Sequence, residues 1–142
     1  MIIKDIHASL LKFCSDYASN HEGMTVVNFD AHADDTTLPA NDVIGLAGLS
    51  VTAADRFLSI KALIGISTLN DTNLFRLAEK IAELFERLMP ESRIDVVDAA
   101  TGEVKGWMIA MDGTTMLASE GTKARPLQHV AVSLGAAQDF RS

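Results

Sequence analysis

RFLSIKALIGISTLNDTNLFRLAEKIAELFERLM, residues Arg56 to Met89, changes its hydrophobic period halfway along. Leu58, Ile60, Ala62, Ile64 and Ile66 alternate with Phe57, Ser59, Lys61, Leu63, Gly65 and Ser67. Successive side chains of an extended chain point to opposite faces, so this spacing predicts a strand over Phe57 to Ser67 with its even-numbered face buried. Further on, Leu74, Leu77, Ala78, Ile81, Leu84, Phe85 and Leu88 recur at steps of three and four, with Arg76, Glu79, Lys80, Glu83, Glu86 and Arg87 on the other side. That is the period of a helix with one apolar stripe. Asn70, Asp71 and Thr72 can each cap its first free amides, and Pro90 stops it by lacking the amide hydrogen that the ladder requires. One apolar stripe opposite one apolar strand face predicts a helix laid on a sheet. It is a scaffold, and it carries no catalytic signature.

On the N-terminal side, Ile3, Ile6, Leu10, Phe13, Cys14 and Tyr17 predict an opening helix that ends before Gly23. Met24, Val26 and Asn28 alternate with Thr25, Val27 and Phe29 as a short strand. Asp30 to Asp55 then mixes acids, threonines, Pro39 and two glycines around Val43, Ile44, Leu46, Leu49 and Val51. This predicts a long irregular connection at about 30–55 holding one short strand near Asp42 to Leu46, since a wholly structureless loop of that length is unusual in a compact domain. On the C-terminal side, strands are expected around Ile94 and Val96, over Val104 to Met111 with Trp107 and Ile109, and over Leu127 to Leu134. Thr101 and Gly102 mark one turn. Asp112 and Gly113 mark another, of the kind that closes hairpins, with Thr114 to Ala118 pairing back. The predicted fold is a single α+β domain over residues 1–142, a mostly antiparallel sheet with two helices packed on it.

A chain of 142 residues can bury one core without metals or disulfides, and its single cysteine, Cys14, has no internal partner. No run approaches the roughly 18 apolar residues that span a bilayer, and the N-terminus lacks the pattern of a secretion signal. The expected compartment is the cytoplasm. A formal charge of -7 with scattered Lys and Arg argues against specific nucleic-acid binding, which clustered cations drive through counterion release. The 48% hydrophobic content is high for a soluble domain of this size and points to apolar surface between subunits. The candidate interface residues are Val43, Ile44, Leu46, Leu49 and Val51 in the irregular region, with Phe57 and Leu63 on the second face of the long strand.

Asp30-Ala31-His32-Ala33-Asp34 after an apolar strand resembles a manganese-binding element of the arginase and agmatinase family. A metal-dependent hydrolase built on Asp30, His32 and Asp34 is the alternative it offers. The family also uses a further histidine upstream and a late Asp-x-Asp element; Asp95 and Asp98 are spaced by two residues instead, so a solvated acidic loop is the preferred reading. His7, His21, His32 and His129 are dispersed, no serine lies in Gly-x-Ser-x-Gly, and Gly102, Gly106, Gly113 and Gly121 match neither a phosphate loop nor a dinucleotide fingerprint. No enzyme activity, cofactor or metal is expected. Basic Lys123, Arg125 and Arg141 against acidic Asp30, Asp34, Asp35, Asp42 and Asp55 form an asymmetry able to orient subunits head to side. A non-enzymatic adaptor that binds through the Phe57 face is a further alternative.

Taken together, the opening helix Ile3 to Tyr17, the long loop before Arg56, the strand Phe57 to Ser67, the helix Leu74 to Met89 and the strands from Arg93 to Leu134 resemble the layout of tail terminator proteins of long-tailed bacteriophages, the group typified by the lambda tail terminator. The resemblance implies a small α+β subunit of a phage or prophage. It would form a hexameric ring in the bacterial cytoplasm, cap the tail tube, end tube polymerisation and become part of the virion tail. Its partners would be copies of itself, the tail tube protein and the head-tail connector, with no membrane involved.

Overall fold

In the computed structural model, which describes residues 2–29, 38–54, 56–71, 73–122 and 124–137, the change of period becomes strand Phe57–Ser67 followed by helix Phe75–Arg87. In chain order the elements are α1 (Ile2–Ser19), β1 (Thr25–Asn28), β2 (Val43–Ala54), β3 (Phe57–Ser67), α2 (Phe75–Arg87), β4 (Arg93–Val97), β5 (Val104–Ala110), β6 (Thr115–Met116), β7 (Glu120–Gly121) and β8 (Pro126–Ala137). The strands form one sheet in the order β1-β2-β3-β8-β5-β4, with β6 and β7 also paired to β8.

The architecture is α+β, and the sheet is mixed where a mostly antiparallel one was expected. β1 runs parallel to β2, Thr25 opposite Val43 through Asn28 opposite Leu46, beside the antiparallel pairs β2–β3, β3–β8 and β4–β5. A second departure concerns the Asp112-Gly113 turn, which does not fold β6 back onto β5. Ile109 and Ala110 pair with Gly135 and Leu134, Thr115 and Met116 with Ala131 and Val130, and Glu120 and Gly121 with Leu127 and Pro126. β5, β6 and β7 are thus successive pieces of one interrupted strand along a single edge of β8. Gly113, at φ 101°, supplies the step between the first two.

The expected irregular connection is corrected over its second half, because residues 43–54 form a long strand. Ile44 and Leu46 lie opposite Ile66 and Ile64, whereas Val51 and Ala53 lie opposite Ile60 and Leu58. The inward parity changes from even to odd across an irregularity between Ala47 and Ser50, where Gly48 takes φ 60°. One extra residue in the strand restores the buried phase to Leu49 and Val51, which is the work of a β-bulge with its glycine in the left-handed region.

Both helices pack on the even face of β3, and Ile6, Leu10, Cys14, Tyr17, Leu77, Ile81 and Leu84 are buried with Leu58, Ile60, Ile64 and Ile66. α1 touches β1, β2 and β4, strands from both ends of the sheet order. Six strands spaced about 4.8 Å apart are wider than one helix, so the sheet must curl around α1 to bring both ends to it. Tyr17 Oη donates to the Lys80 carbonyl at 2.8 Å and ties the helices together. Of the candidate caps for α2, Asp71 acts: its carboxylate accepts from the amides of Leu77 at 2.7 Å and Arg76 at 3.3 Å, and from the Thr68 hydroxyl at 3.0 Å. The N-cap position itself is Leu74, at φ 61° and with no side-chain cap bond; Thr72 lies outside the described residues. No helix among the described residues is long and apolar enough to cross a membrane.

Candidate functional site on the outer sheet face

Because α1 and α2 both occupy the inner face, the odd-numbered side chains of β3 and β8 and their neighbours on β5 make up the outer one. Its cross-strand rows follow from the register: Phe57 opposite Ala137, Ser59 opposite Gly135, Lys61 opposite Ser133, Leu63 opposite Ala131 and Gly65 opposite His129. Small residues dominate the β8 side, so the face is shallow and the few large side chains lie down on it. A Cβ at Gly135 would run into the Phe57 ring and sit 3.3 Å from Met111 Sδ, so the glycine is what lets that ring lie flat. At the other end Phe29 meets the His129 ring edge-on, centroids 5.8 Å apart, over Gly45 and Gly65. Burial there depresses the affinity of His129 for a proton.

An apolar groove of about 450 Å³ opens at the Phe57 end of this face, lined by Phe57, Lys105, Trp107, Ile109, Met111 and Gly135 among others. Trp107 is 49% exposed and Phe57 47%. The Arg93 guanidinium stacks on the Trp107 ring, 4.7 Å from its centroid, and places a cation at the rim. A second depression of about 260 Å³, lined by Gly48, Lys61, Leu63, Gly113, Ala131 and Ser133, adjoins it along β8. The two depressions follow one another along β8 on this face, a trough in two parts with no lining residue in common.

The seven candidate interface residues divide by this geometry. Val43, Ile44 and Leu46 are buried in the subunit's own interior, and Leu49 and Val51 pack against the same core, so the β2 members are corrected from intersubunit to intramolecular packing. Ile44 and Leu46 are inward by their place in the register, and the bulge brings Leu49 and Val51 into the same phase. Phe57 and Leu63 do face outward, one in each depression. Trp107, Met111 and Val104 (60% exposed) were missed. Their signal is that Val104 to Met111 carries apolar residues on both phases of the alternation, Trp107 and Ile109 outward while Met108 and Ala110 are buried.

Other groups are held in structural roles. Asp5, Ser9 and Lys105 meet beneath β4 and β5, but the Ser9 hydroxyl donates to the Asp5 carbonyl at 2.6 Å and accepts from the Val97 amide at 2.8 Å, which leaves it no free role as a nucleophile. Asp98 accepts from the amides of Ala100 and Thr101 in the turn after β4, so it does not pair with Asp95 as a ligand set. Arg125 is buried, with its guanidinium on the carbonyls of Asn41, at 2.6 Å, and Pro39; Asp42 is paired with Arg76 at 2.5 Å. Neither belongs to an exposed charge patch, and Lys123, Arg141, Asp30, Asp34, Asp35 and Asp55 lie outside the described residues. So do all three members of the Asp30, His32 and Asp34 cluster. Among the described residues no group of three or more His, Cys, Asp or Glu could hold a metal ion.

No protein-family model matches the chain. No curated protein matches it. Among solved structures, a protein known only by a serial designation aligns over 96% of this chain and 95% of its own, with a TM-score of 0.57 at 16% identity. At that identity the likeness is one of fold alone, and it runs the length of both chains.

Proposed function

We propose that the chain is a structural tail protein of a phage or prophage, a subunit that associates with its own copies into a ring and whose further partners are the tail tube, which it caps and whose polymerisation it ends, and the head connector, to which it offers a joining surface. The observation that supports this reading is the outer sheet face, where two adjoining depressions display Phe57, Trp107, Met111 and Leu63 on the side away from both helices. A soluble subunit gains from covering such a trough, and contiguous exposed apolar surface marks protein association more often than chemistry. Two further features agree. The Asp5, Ser9 and Lys105 group is consumed by structural hydrogen bonds, and a charge of -7 suits a ring through which DNA passes without being gripped. The opening helix, the strand Phe57–Ser67, the helix after it and the strands beyond agree with the layout expected of a tail terminator, and the long strand β2 stands where that layout had a loop.

Native mass and negative-stain images over a range of concentrations test the reading. The expected result is a closed ring of six subunits, which shortens tubes when added below stoichiometry to polymerising tail tube protein encoded beside it. A chain that stays monomeric to millimolar concentration, or rings without effect on tube length, would overturn it.

A further inference from the structure

Resting on the ring reading, we propose that the groove at Trp107 receives the outward stripe of α2 from a second copy, with Phe75 as the inserted side chain, so that subunits join head to tail. Phe75 is 71% exposed, the most exposed large apolar residue among those described. It belongs to a defined stripe. Leu77, Ile81 and Leu84 face the sheet, and at 3.6 residues per turn Phe75, Glu79, Ala82 and Glu86 come round to the opposite side. α2 lies on the inner face of the sheet and the groove opens on the outer one, so the two surfaces look in opposite directions from one subunit. Each copy then offers one knob and one socket. A contact of that kind cannot finish as a symmetric dimer; it adds copies head to tail, into a ring where the rotation between copies closes and into a filament where it does not.

Charge distribution favours a second copy as the occupant. Glu79 and Glu86 form no ion pair among the described residues; of the three basic residues of α2, Arg76 is engaged with Asp42 at 2.5 Å and Arg87 with Glu83 at 3.5 Å, while Lys80 lies on the flank nearer the sheet, away from this stripe. The stripe therefore presents unpaired negative charge around an aromatic ring. The trough presents the converse: Arg93 stacked on Trp107 at one rim and Lys61 on the wall of the adjoining depression, neither in an ion pair among the described residues. Asp95 lies opposite Trp107 in register, and Asp5 is engaged with the groove-lining Lys105. The groove volume of about 450 Å³ is ample for one aromatic ring. Such complementary charge sets orientation and register, and the buried aromatic supplies the affinity.

The test uses two full-length variants, Phe75→Glu with its knob disabled and Trp107→Glu with its socket disabled. Both positions are at the surface, and matching far-UV circular dichroism and melting curves establish that each variant folds. Each alone should need roughly 30-fold or more higher concentration to assemble than the wild type. Mixed together they should form a one-to-one heterodimer and go no further, because only one working knob and one working socket remain. In a second set, Arg93→Glu should weaken assembly, and Glu79→Lys with Glu86→Lys in the same chain should restore it. Wild-type rings with variants that assemble equally well would overturn the contact and leave the ring reading standing. Variants that stay apart both singly and when mixed would overturn the pairing of these two surfaces. Binding in the groove of an extended segment from another protein, in place of a second copy, would overturn the occupant. A wild type that never assembles would remove both the contact and the ring.

Discussion

Asp5, in the first turn of α1, accepts a hydrogen bond from Lys105 Nζ of β5 at 2.9 Å across a sequence separation of 100 residues. The same carboxylate accepts from the Ala99 amide at 2.9 Å. Burial works against its charge, but the Lys105 hydrogen bond, the Ala99 amide and the attraction of the Lys105 ammonium outweigh it and hold the carboxyl below its ordinary range. Asp5→Ala removes the nearer of two carboxylates beside a mostly buried ammonium, Asp98 standing 3.8 Å from Lys105 Nζ, and should cost about 2 kcal/mol in urea unfolding at neutral pH. Because the folded-state value lies below the unfolded one, the carboxylate's contribution is complete above about pH 4 and is lost as pH falls through the folded value. The gap between wild type and variant should therefore narrow on acidification below about pH 4. A gap that stays constant down to pH 2 would show that charge at Asp5 is not what stabilises the α1 contact.

Asp71 holds the start of α2 from three residues before the N-cap position. Burial again opposes ionisation, and the hydrogen bonds from the Leu77 amide, the Thr68 hydroxyl and the Arg76 amide, with the Arg76 charge, prevail and lower its proton affinity. Asp71→Ala should destabilise the fold by about 1–2 kcal/mol, the cost of losing a cap, and amide exchange at Arg76 and Leu77 should accelerate more than at Leu84. Equal acceleration along the whole helix would point to global loosening and against a capping role.

The elements readable from sequence are those with an uninterrupted period and two kinds of face. Phe57–Ser67 and the body of α2 meet both conditions, and their expected and observed spans agree to within two residues at each end. β2 meets neither. Its outward positions are glycine, alanine, serine and threonine, and the bulge at Gly48 shifts the buried phase from Ile44 and Leu46 to Leu49 and Val51, so the two-residue period breaks in the middle. The parallel pairing of β1 and the run of β5, β6 and β7 along β8 are long-range choices with no local signature. Half of the candidate surface was legible for a related reason. Phe57 and Leu63 sit on a strand whose other face is plainly buried, whereas Trp107 is recognisable as outward only once Met108 and Ala110 are known to be inside.

Cys14 is fully buried, and burial alone pushes its thiol up to about 12. Thiolate is the reactive form, so near pH 8 the native protein should resist a thiol reagent such as a disulfide dye and react only through opening of α1. In denaturing urea the reaction should be immediate. A native rate close to that of a free thiol would mean that α1 leaves the sheet far more often than a helix with Ile6, Leu10 and Tyr17 in the core can.

Gly45 and Gly65 are neighbours in the β2–β3 register, yet replacing each with alanine should have different consequences. A methyl at Gly45 would strike the Val27 carbonyl oxygen of β1 and lie 2.8 Å from the Phe29 ring. The first of these is backbone in a hydrogen-bonded strand and cannot swing aside. At Gly65 the closest atoms are His129 Cδ2 at 2.6 Å and Nε2 at 2.8 Å, the far end of a half-buried side chain, with Phe29 next at 3.2 Å. Gly45→Ala should therefore cost the fold about 2 kcal/mol or more, in the range of overpacked cores, and Gly65→Ala distinctly less. His129→Ala should relieve most of the cost at Gly65 and none at Gly45, because only the first clash is with a ring that the second substitution removes. Thermal and urea unfolding of the four variants decides the matter: equal penalties at the two glycines, or relief at both from the histidine change, would mean that β1 yields as readily as a side chain does.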